Sequence, residues 1–154
     1  MPRTGRLHIS GRCYHLIGRG LERRYVFGDD ADKLEFLRRL GENLVRSQVQ
    51  CLAWAIMGNH YHLLVRVGAK PLAKLMAPLL DGYAGYYNRC HQRSGYVYQN
   101  RYKSILVDVE SYLLELIRYI HLNPMRAKML SVLEELDKYP WTGHAGLVNK
   151  TGQA

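Results

Sequence analysis

The sequence has few cysteines and no long hydrophobic run. Its three cysteines, Cys13, Cys51 and Cys90, lie far apart along the chain, which indicates neither a disulfide framework nor a cysteine-ligated zinc site. We therefore expect buried, reduced thiols. No apolar stretch approaches the length of a membrane span, and the opening residues, MPRTGRLHIS, lack the apolar centre of a secretory signal. These absences favour a protein of the cytosol.

Acidic residues are scarce. Asp and Glu number 13 against 22 Lys and Arg, which gives a formal net charge of +9. The part of the chain before Asp29 holds one acid, Glu22, and six arginines: Arg3, Arg6, Arg12, Arg19, Arg23 and Arg24. Clustered cations gain free energy by displacing counterions from phosphates, so nucleic acid is the leading candidate partner. A basic, solvated surface without a specific partner is the alternative.

The order of hydrophobic patterns predicts an α+β fold. We expect strands at 7–17, 49–57, 60–67 and 101–109 and helices at 30–47, 70–92 and 110–123, the last closed by Pro124. Gly58-Asn59 between the two middle strands predicts a two-residue hairpin. The order β-α-β-β-α-β matches the ferredoxin-like, split βαβ plan, an antiparallel sheet with two helices on one face and an added helix at the end. We expect one domain over residues 1–143 and a flexible tail over 144–154.

Two histidines interrupt the apolar run MGNHYHLLVRV at residues 57–67. Strand side chains alternate between faces, so His60 and His62 share the face opposite Tyr61, Leu63 and Val65. Their imidazoles would lie roughly 7 Å apart, close enough to converge on one metal ion. Two hydrogen-bonded histidines at the start of a strand remain the alternative.

The last predicted helix carries polar groups on one flank. Its apolar stripe comprises Leu113, Leu116, Ile117 and Ile120, which leaves Tyr112, Glu115, Tyr119 and Asn123 on another side. Tyr119 and Asn123 are four residues apart and so face the same way, one turn apart. Tyr119 can thus face a site. The alternatives are that Tyr119 is a boundary residue and that Asn123 caps the helix before Pro124.

Four segments together resemble the REP-associated tyrosine transposases, within the insertion-sequence-200-like, single-tyrosine branch of the HUH endonucleases. They are GNHYHLL, GYVYQNRYKSILVD, YLLELIRYIHLNPMRA and YPW, in this order. The resemblance extends over nearly the whole chain, from YHLIGRG to YPW. It implies a protein of the bacterial cytoplasm, beside the nucleoid, that works on single-stranded DNA next to short palindromic hairpins.

The resemblance also implies roles for individual residues. His60 and His62 would bind a divalent metal, Asn123 would be the third protein ligand and Tyr119 the nucleophile. Two imidazoles and one amide oxygen suit Mg²⁺ or Mn²⁺, and without thiolates a structural zinc site is not expected. Attack by Tyr119 would leave a 5′-phosphotyrosine and a free 3′-hydroxyl, so the strand can be rejoined without ATP. In agreement, the sequence contains no G-x-x-x-x-G-K phosphate loop.

Basic residues are the expected contacts to DNA phosphates. The candidates are Arg12, Arg19, Arg23, Arg24, Arg101, Lys103, Arg118 and Arg126. Tyr96, Tyr98 or Tyr102 could stack unpaired bases, although core or boundary packing is the commoner role for any one of them taken singly. Two other functions stay open: a metal-dependent nuclease that uses water, and a non-catalytic protein that binds DNA hairpins. The sequence leaves the choice between monomer and homodimer open.

Overall fold

A computed structural model describes residues 9–99, 101–107, 112–126 and 140–143. The elements follow the predicted order: β1 (Cys13–Arg19), α1 (Asp30–Ser47), β2 (Gln50–Ile56), β3 (His60–Arg66), α2 (Ala73–Cys90), β4 (Lys103–Val107), α3 (Leu113–His121) and α4 (Asn123–Arg126). A single 3₁₀ turn, Leu21–Arg23, lies between β1 and α1. The four strands form one sheet in the order β2-β3-β1-β4, with every neighbouring pair antiparallel. This is the split βαβ arrangement, so the predicted α+β fold is confirmed.

The two faces of the sheet carry separate apolar clusters. On the first face, α1 and α2 pack against each other and over alternate strand residues, among them Tyr14, Leu16, Leu63 and Val65. On the second face, α3 lies over β2 and β3. The second cluster is small and consists of Cys13, Ala53, Ala55, Leu64, Leu116 and Ile120. Because its floor contains two alanines, α3 can lie close to the sheet.

Helix α1 begins and ends where the sequence predicts. The Asp29 side chain accepts a hydrogen bond from the Asp32 backbone N–H at 2.9 Å, which satisfies one of the unpaired amides at the start of the helix. The helix ends at Ser47 and is followed by the capping residue Gln48, whose φ of 57° is left-handed. Asp32 itself is buried and binds His91 Nε2 at 2.8 Å, which ties α1 to the end of α2.

Several other elements differ from prediction at their ends, and the differences in β1 and α3 bear on the site. Strand β1 was expected at 7–17 but starts at Cys13, after a turn in which Gly11 has a φ of 83°, and it continues to Arg19. Helix α3 stops at His121, and Asn123 begins the four-residue α4 with Pro124 as its second residue. Proline is tolerated in the first turn of a helix because no hydrogen bond from its nitrogen is required there. Pro124 therefore lies in the first turn of a new helix, in addition to following the end of α3.

The three cysteines differ in their exposure. Cys13 is buried, but Cys51 is partly exposed and Cys90 exposed, so the expectation of buried thiols is wrong for Cys90, which lies in the last turn of α2 at the surface. The predicted tail at 144–154 lies outside the described residues. Within the described part of the chain, no helix is both long and apolar enough to span a membrane.

Candidate active site

The β2–β3 hairpin presents His60 and His62 on the face that α3 covers. Gly58 and Asn59 form its turn, closed by a hydrogen bond from the Met57 N–H to the His60 carbonyl at 2.9 Å. In the antiparallel register, His60 lies beside Arg19 of β1, and His62 lies between Ile17 of β1 and Ala55 of β2. Tyr61 and Leu63 point into the core under α1 and α2, so the histidines share the opposite face, as the alternation predicts.

His62 is the centre of a group of polar side chains. Its ring is buried, with Nδ1 lying 3.0 Å from Nε2 of His15 and Nε2 lying 3.3 Å from Nδ2 of Asn123. The ring of His60 is 5.2 Å away and nearly perpendicular. The ring of Tyr119 is 6.1 Å away, also nearly perpendicular. Four residues from three separate parts of the chain thus surround one imidazole.

Helix α3 carries Tyr119 to this group because its apolar side is fixed on the sheet. Leu116 and Ile120 are buried against the alanines of β2, which turns Tyr119 toward the histidines with 39% of its surface exposed. The Leu122 N–H donates to the Arg118 carbonyl at 2.8 Å, so the backbone still turns helically beyond the end of α3. Asn123 follows and is buried beside His62. The structure therefore brings together Tyr119, Asn123, His60 and His62.

All three imidazoles of the group are held neutral. Burial is the largest cause that lowers the pKa of His62 to about 3, and the nearby His60, His15 and Arg19 act in the same direction. Burial, followed by the charge of Arg19, also lowers the pKa of His60, against a hydrogen bond with Asn123 that raises it. Burial lowers the pKa of His15. Neutral imidazole is the form that binds a metal ion, so the electrostatics are compatible with ligation at neutral pH.

The donor atoms fit a divalent metal of the Mg²⁺ or Mn²⁺ type. Among the described residues, no cluster of three or more His, Cys, Asp and Glu side chains is arranged to hold a metal ion. A metal site here therefore needs a third donor of another kind. Asn123, whose amide nitrogen is in contact with His62 and which is hydrogen-bonded to His60, would offer a carboxamide oxygen, a ligand type that these hard cations accept.

Two side chains of the site were missed by the sequence analysis. His15 contacts His62 from 47 positions away along the chain. Asn59 lies in the hairpin turn, and its Oδ1 is 2.7 Å from Nδ1 of His60. The signal for His15 in the sequence is a histidine within a predicted strand. It indicates a contact with His62 only once the pairing of β1 with β3 is known. Asn59 was interpreted as a turn residue and not as a partner of His60.

The predicted DNA contacts do not all lie near the site. Arg19 is exposed at the end of β1 beside His60, and Lys103 faces the same side of the sheet through its pairing with Ile17. Arg118 is exposed on α3 next to Tyr119, and Arg101 is exposed just before β4. Arg12 lies beyond the other end of β1, where its carbonyl accepts from the Val67 N–H. Arg12 is therefore far from the histidines, and the side chain of Arg126 lies outside the described residues.

A basic loop is fixed beside the hairpin turn. The N–H groups of Val26 and Phe27 both donate to the Gly58 carbonyl, at 2.9 and 3.0 Å, and the Gly20 N–H donates to the Asn59 carbonyl. The loop exposes Arg23, Arg24 and Tyr25, and the Tyr25 ring lies over Gly58. Tyr25 is 67% exposed and was not among the predicted base-stacking residues.

The three tyrosines that were predicted to stack bases differ in exposure. Tyr96 is 84% exposed. Tyr98 donates its hydroxyl to the Leu80 carbonyl at 3.3 Å and packs on the core, and Tyr102 is partly buried against the same core. Core packing therefore accounts for Tyr98 and Tyr102. Of the three predicted tyrosines, Tyr96 remains an exposed candidate, and Tyr25 of the basic loop is a further one.

Comparison with known proteins gives a family match and several similar folds, among them two described as transposases. A family model described as "Transposase IS200 like" matches residues 8–123. A solved structure of a REP-associated tyrosine transposase bound to a REP hairpin is similar with a TM-score of 0.71 and 11% identity, over 97% of this chain and 87% of the other. A proposed transposase from Deinococcus radiodurans R1 is similar with a TM-score of 0.50 and 19% identity, over 79% of this chain and 97% of the other. Among proteins of curated function, none matches.

Proposed function

Because the chain belongs to the IS200-like transposase family, we propose that it cuts and rejoins single-stranded DNA beside hairpins through a covalent bond to Tyr119. Transposases of this family act on DNA, and the proposal concerns the substrate and the chemistry. The observation that carries it is the group around His62, where Asn123 is in contact and the Tyr119 ring is 6.1 Å away. A nucleophile, two neutral imidazoles and an amide within one small site are the parts that this chemistry needs.

We assign His60, His62 and Asn123 as the residues that would hold Mg²⁺ or Mn²⁺. When bound, such a cation polarises the scissile phosphate and offsets negative charge that develops in the transition state. The protein's own part is to keep the two imidazoles unprotonated and close together. Burial and the charge of Arg19 do so, since both oppose protonation of His60 and His62.

Tyr119 is the proposed nucleophile. Its phenol oxygen attacks the phosphorus of a phosphodiester, the phenolic proton passes to solvent, and the bond from phosphorus to the 3′ oxygen breaks. That oxygen takes a proton from solvent and leaves as a 3′-hydroxyl, while the 5′ phosphate remains on Tyr119. One phosphodiester is exchanged for another, so a second 3′-hydroxyl can reverse the step onto a new strand without an energy source. Partial exposure of Tyr119 supports this role because a strand must reach it.

The proposed DNA surface is the open part of the sheet between α3 and β4, together with the basic loop. Arg19, Lys103 and Arg118 would hold phosphates near Tyr119, and the loop adds Arg23 and Arg24. Tyr25 can stack an unpaired base, because its exposed ring lies beside the hairpin turn that carries His60. The similar fold that was solved with a REP hairpin supports hairpin DNA as the substrate.

The test uses one hairpin-flanked oligonucleotide labelled at either end, incubated with the protein and Mg²⁺ or Mn²⁺. The proposal predicts that the 3′-labelled fragment migrates with the protein on a denaturing gel, while the 5′-labelled fragment is released. Cleavage that leaves both fragments free would indicate a nuclease that uses water. Binding without cleavage would indicate a non-catalytic hairpin binder. Equal affinity for a fully paired duplex of the same sequence would contradict the preference for single strands.

A further inference from the structure

We propose that Asn59 and His15 are positioning residues that fix the tautomers of the two proposed metal-binding histidines. Each would hold the Nδ1–H of one imidazole, so that the Nε2 lone pairs of His60 and His62 remain available to a divalent cation. The inference rests on the proposed function, because it takes His60 and His62 to be metal ligands. The hydrogen bonds that support it are properties of the protein without metal.

For His60, the direction of the hydrogen bond follows from the amide of Asn59. The Asn59 Nδ2 group donates to the Arg23 carbonyl at 3.4 Å, which orients the carboxamide. Its Oδ1 lies 2.7 Å from Nδ1 of His60, and an amide oxygen can only accept. Nδ1 of the neutral His60 ring must therefore carry the proton. A neutral imidazole has one N–H, so Nε2 carries the lone pair. The hydrogen bond with Asn123 raises the pKa of His60 because the protonated ring carries a hydrogen on Nε2 as well, which the Asn123 oxygen can accept.

For His62, the direction follows from the other ring nitrogen. The Nδ2 group of Asn123 lies 3.3 Å from Nε2 of His62, and an amide NH₂ can only donate. Nε2 of His62 therefore accepts, and the ring proton is on Nδ1. That proton points to Nε2 of His15 at 3.0 Å, which must accept it. His15 is buried, so no solvent competes for this bond.

The two positioning residues come from places that the fold holds rigidly. His15 lies in the middle of β1, paired with Leu64 on one side and Ile105 on the other. Asn59 is held in the hairpin turn by the hydrogen bond from Gly20 to its carbonyl. A metal-binding histidine commonly donates its second N–H to a fixed acceptor, and loss of that acceptor typically weakens metal binding 10- to 100-fold. We expect losses of about this size here.

The first arm of the test needs no metal. Long-range ¹H–¹⁵N NMR spectra of the metal-free protein report which nitrogen of each histidine carries the proton. The proposal predicts Nδ1–H for both His60 and His62. A proton on Nε2 of either ring overturns it, whatever the protein does to DNA.

The second arm measures Mn²⁺ affinity by electron paramagnetic resonance on the full chain. His15→Leu removes the acceptor and should weaken Mn²⁺ binding about 10- to 100-fold, as should Asn59→Ala. His15→Gln retains an amide oxygen as acceptor and should restore most of the affinity. His91→Gln, which removes a histidine from the distant α2 end, should leave it unchanged. Wild-type affinity in His15→Leu, or no difference between His15→Leu and His15→Gln, overturns the proposal.

The two arms separate this inference from the proposed function. If the wild-type protein binds no Mn²⁺, the metal role of His60 and His62 fails, and the NMR arm alone decides whether Asn59 and His15 fix the tautomers. If Mn²⁺ binds but the tautomers differ from prediction, the metal role stands and the positioning role fails. A His15→Leu variant that does not fold leaves the NMR spectra of the wild-type protein as the deciding measurement.

Discussion

Arg19 and Arg12 provide a matched test of where DNA lies on the protein. Both are exposed, and they flank the same strand, β1, at opposite ends. They are seven positions apart, which is about 23 Å along an extended chain. Arg19 lies beside His60, whereas Arg12 lies near Val67 at the far end of the sheet. We expect Arg19→Gln to weaken DNA binding and Arg12→Gln to leave it unchanged.

The size of the effect follows from counterion release. Each phosphate contact on a single strand contributes about −0.7 to the slope of log K against log salt concentration. Six of the predicted phosphate contacts have described side chains and do not lie at the far end of β1: Arg19, Arg23, Arg24, Arg101, Lys103 and Arg118. If all six bind phosphates, the slope is about −4, and a tenfold rise in salt weakens binding about 10⁴-fold. Loss of one contact moves the slope to about −3.5.

Fluorescence anisotropy with a hairpin-flanked oligonucleotide over a range of KCl concentrations measures both slopes. Because both arginines are exposed, neither substitution should change the melting temperature, which serves as the control for folding. A smaller slope for Arg12→Gln, or an unchanged slope for Arg19→Gln, would refute the placement of DNA on the α3 side of the sheet.

Three further predictions follow from the site and its supports. His60→Ala and His62→Ala should each abolish cleavage while DNA binding persists, and undiminished cleavage in a strong chelator would show that the histidines are structural. Ile120→Ala should lower the free energy of unfolding by about 3 kcal/mol. It should also speed hydrogen exchange in α3 more than in α1, since α3 is held by a small cluster. An equal increase in exchange rate in both helices would contradict this. Acidification of the metal-free protein from pH 6.5 to 5 should lower its free energy of unfolding by about 2 kcal/mol through His62. In this range His62 of the unfolded chain gains a proton, whereas the folded ring, with a pKa of about 3, does not. His62→Gln should flatten this dependence in urea titrations, and an unchanged slope would refute it.

The order of the elements and the two faces of the sheet were accessible from the sequence because they depend on local periodicity. Leucines at helical spacing and the acidic residues around Asp29 defined α1 to the residue. Alternation in β3 placed His60 and His62 opposite the main core. Both signals lie within one element and need no knowledge of its neighbours.

The parts that were not predicted depend on contacts between distant segments. His15 meets His62 only because β1 pairs with β3, and nothing local to residue 15 specifies that partner. Arg12 was predicted as a DNA contact for the same reason. The position of a charge in the sequence does not tell which end of a strand lies near the histidines. The break between α3 and α4 was missed because proline both ends helices and starts them, and only tertiary packing decides which happens at Asn123.

The central claim is that Tyr119 forms a covalent bond with DNA, and mapping the adduct tests it most directly. Incubation with a hairpin-flanked oligonucleotide and Mg²⁺ or Mn²⁺, followed by proteolysis and mass spectrometry, should place the nucleotide on Tyr119. Tyr119→Phe should form no adduct. Tyr112→Phe should form it normally, because Tyr112 precedes Tyr119 by two turns, which is about 10 Å along the helix axis. An adduct on any other tyrosine, or cleavage by Tyr119→Phe at the wild-type rate, would contradict the assignment.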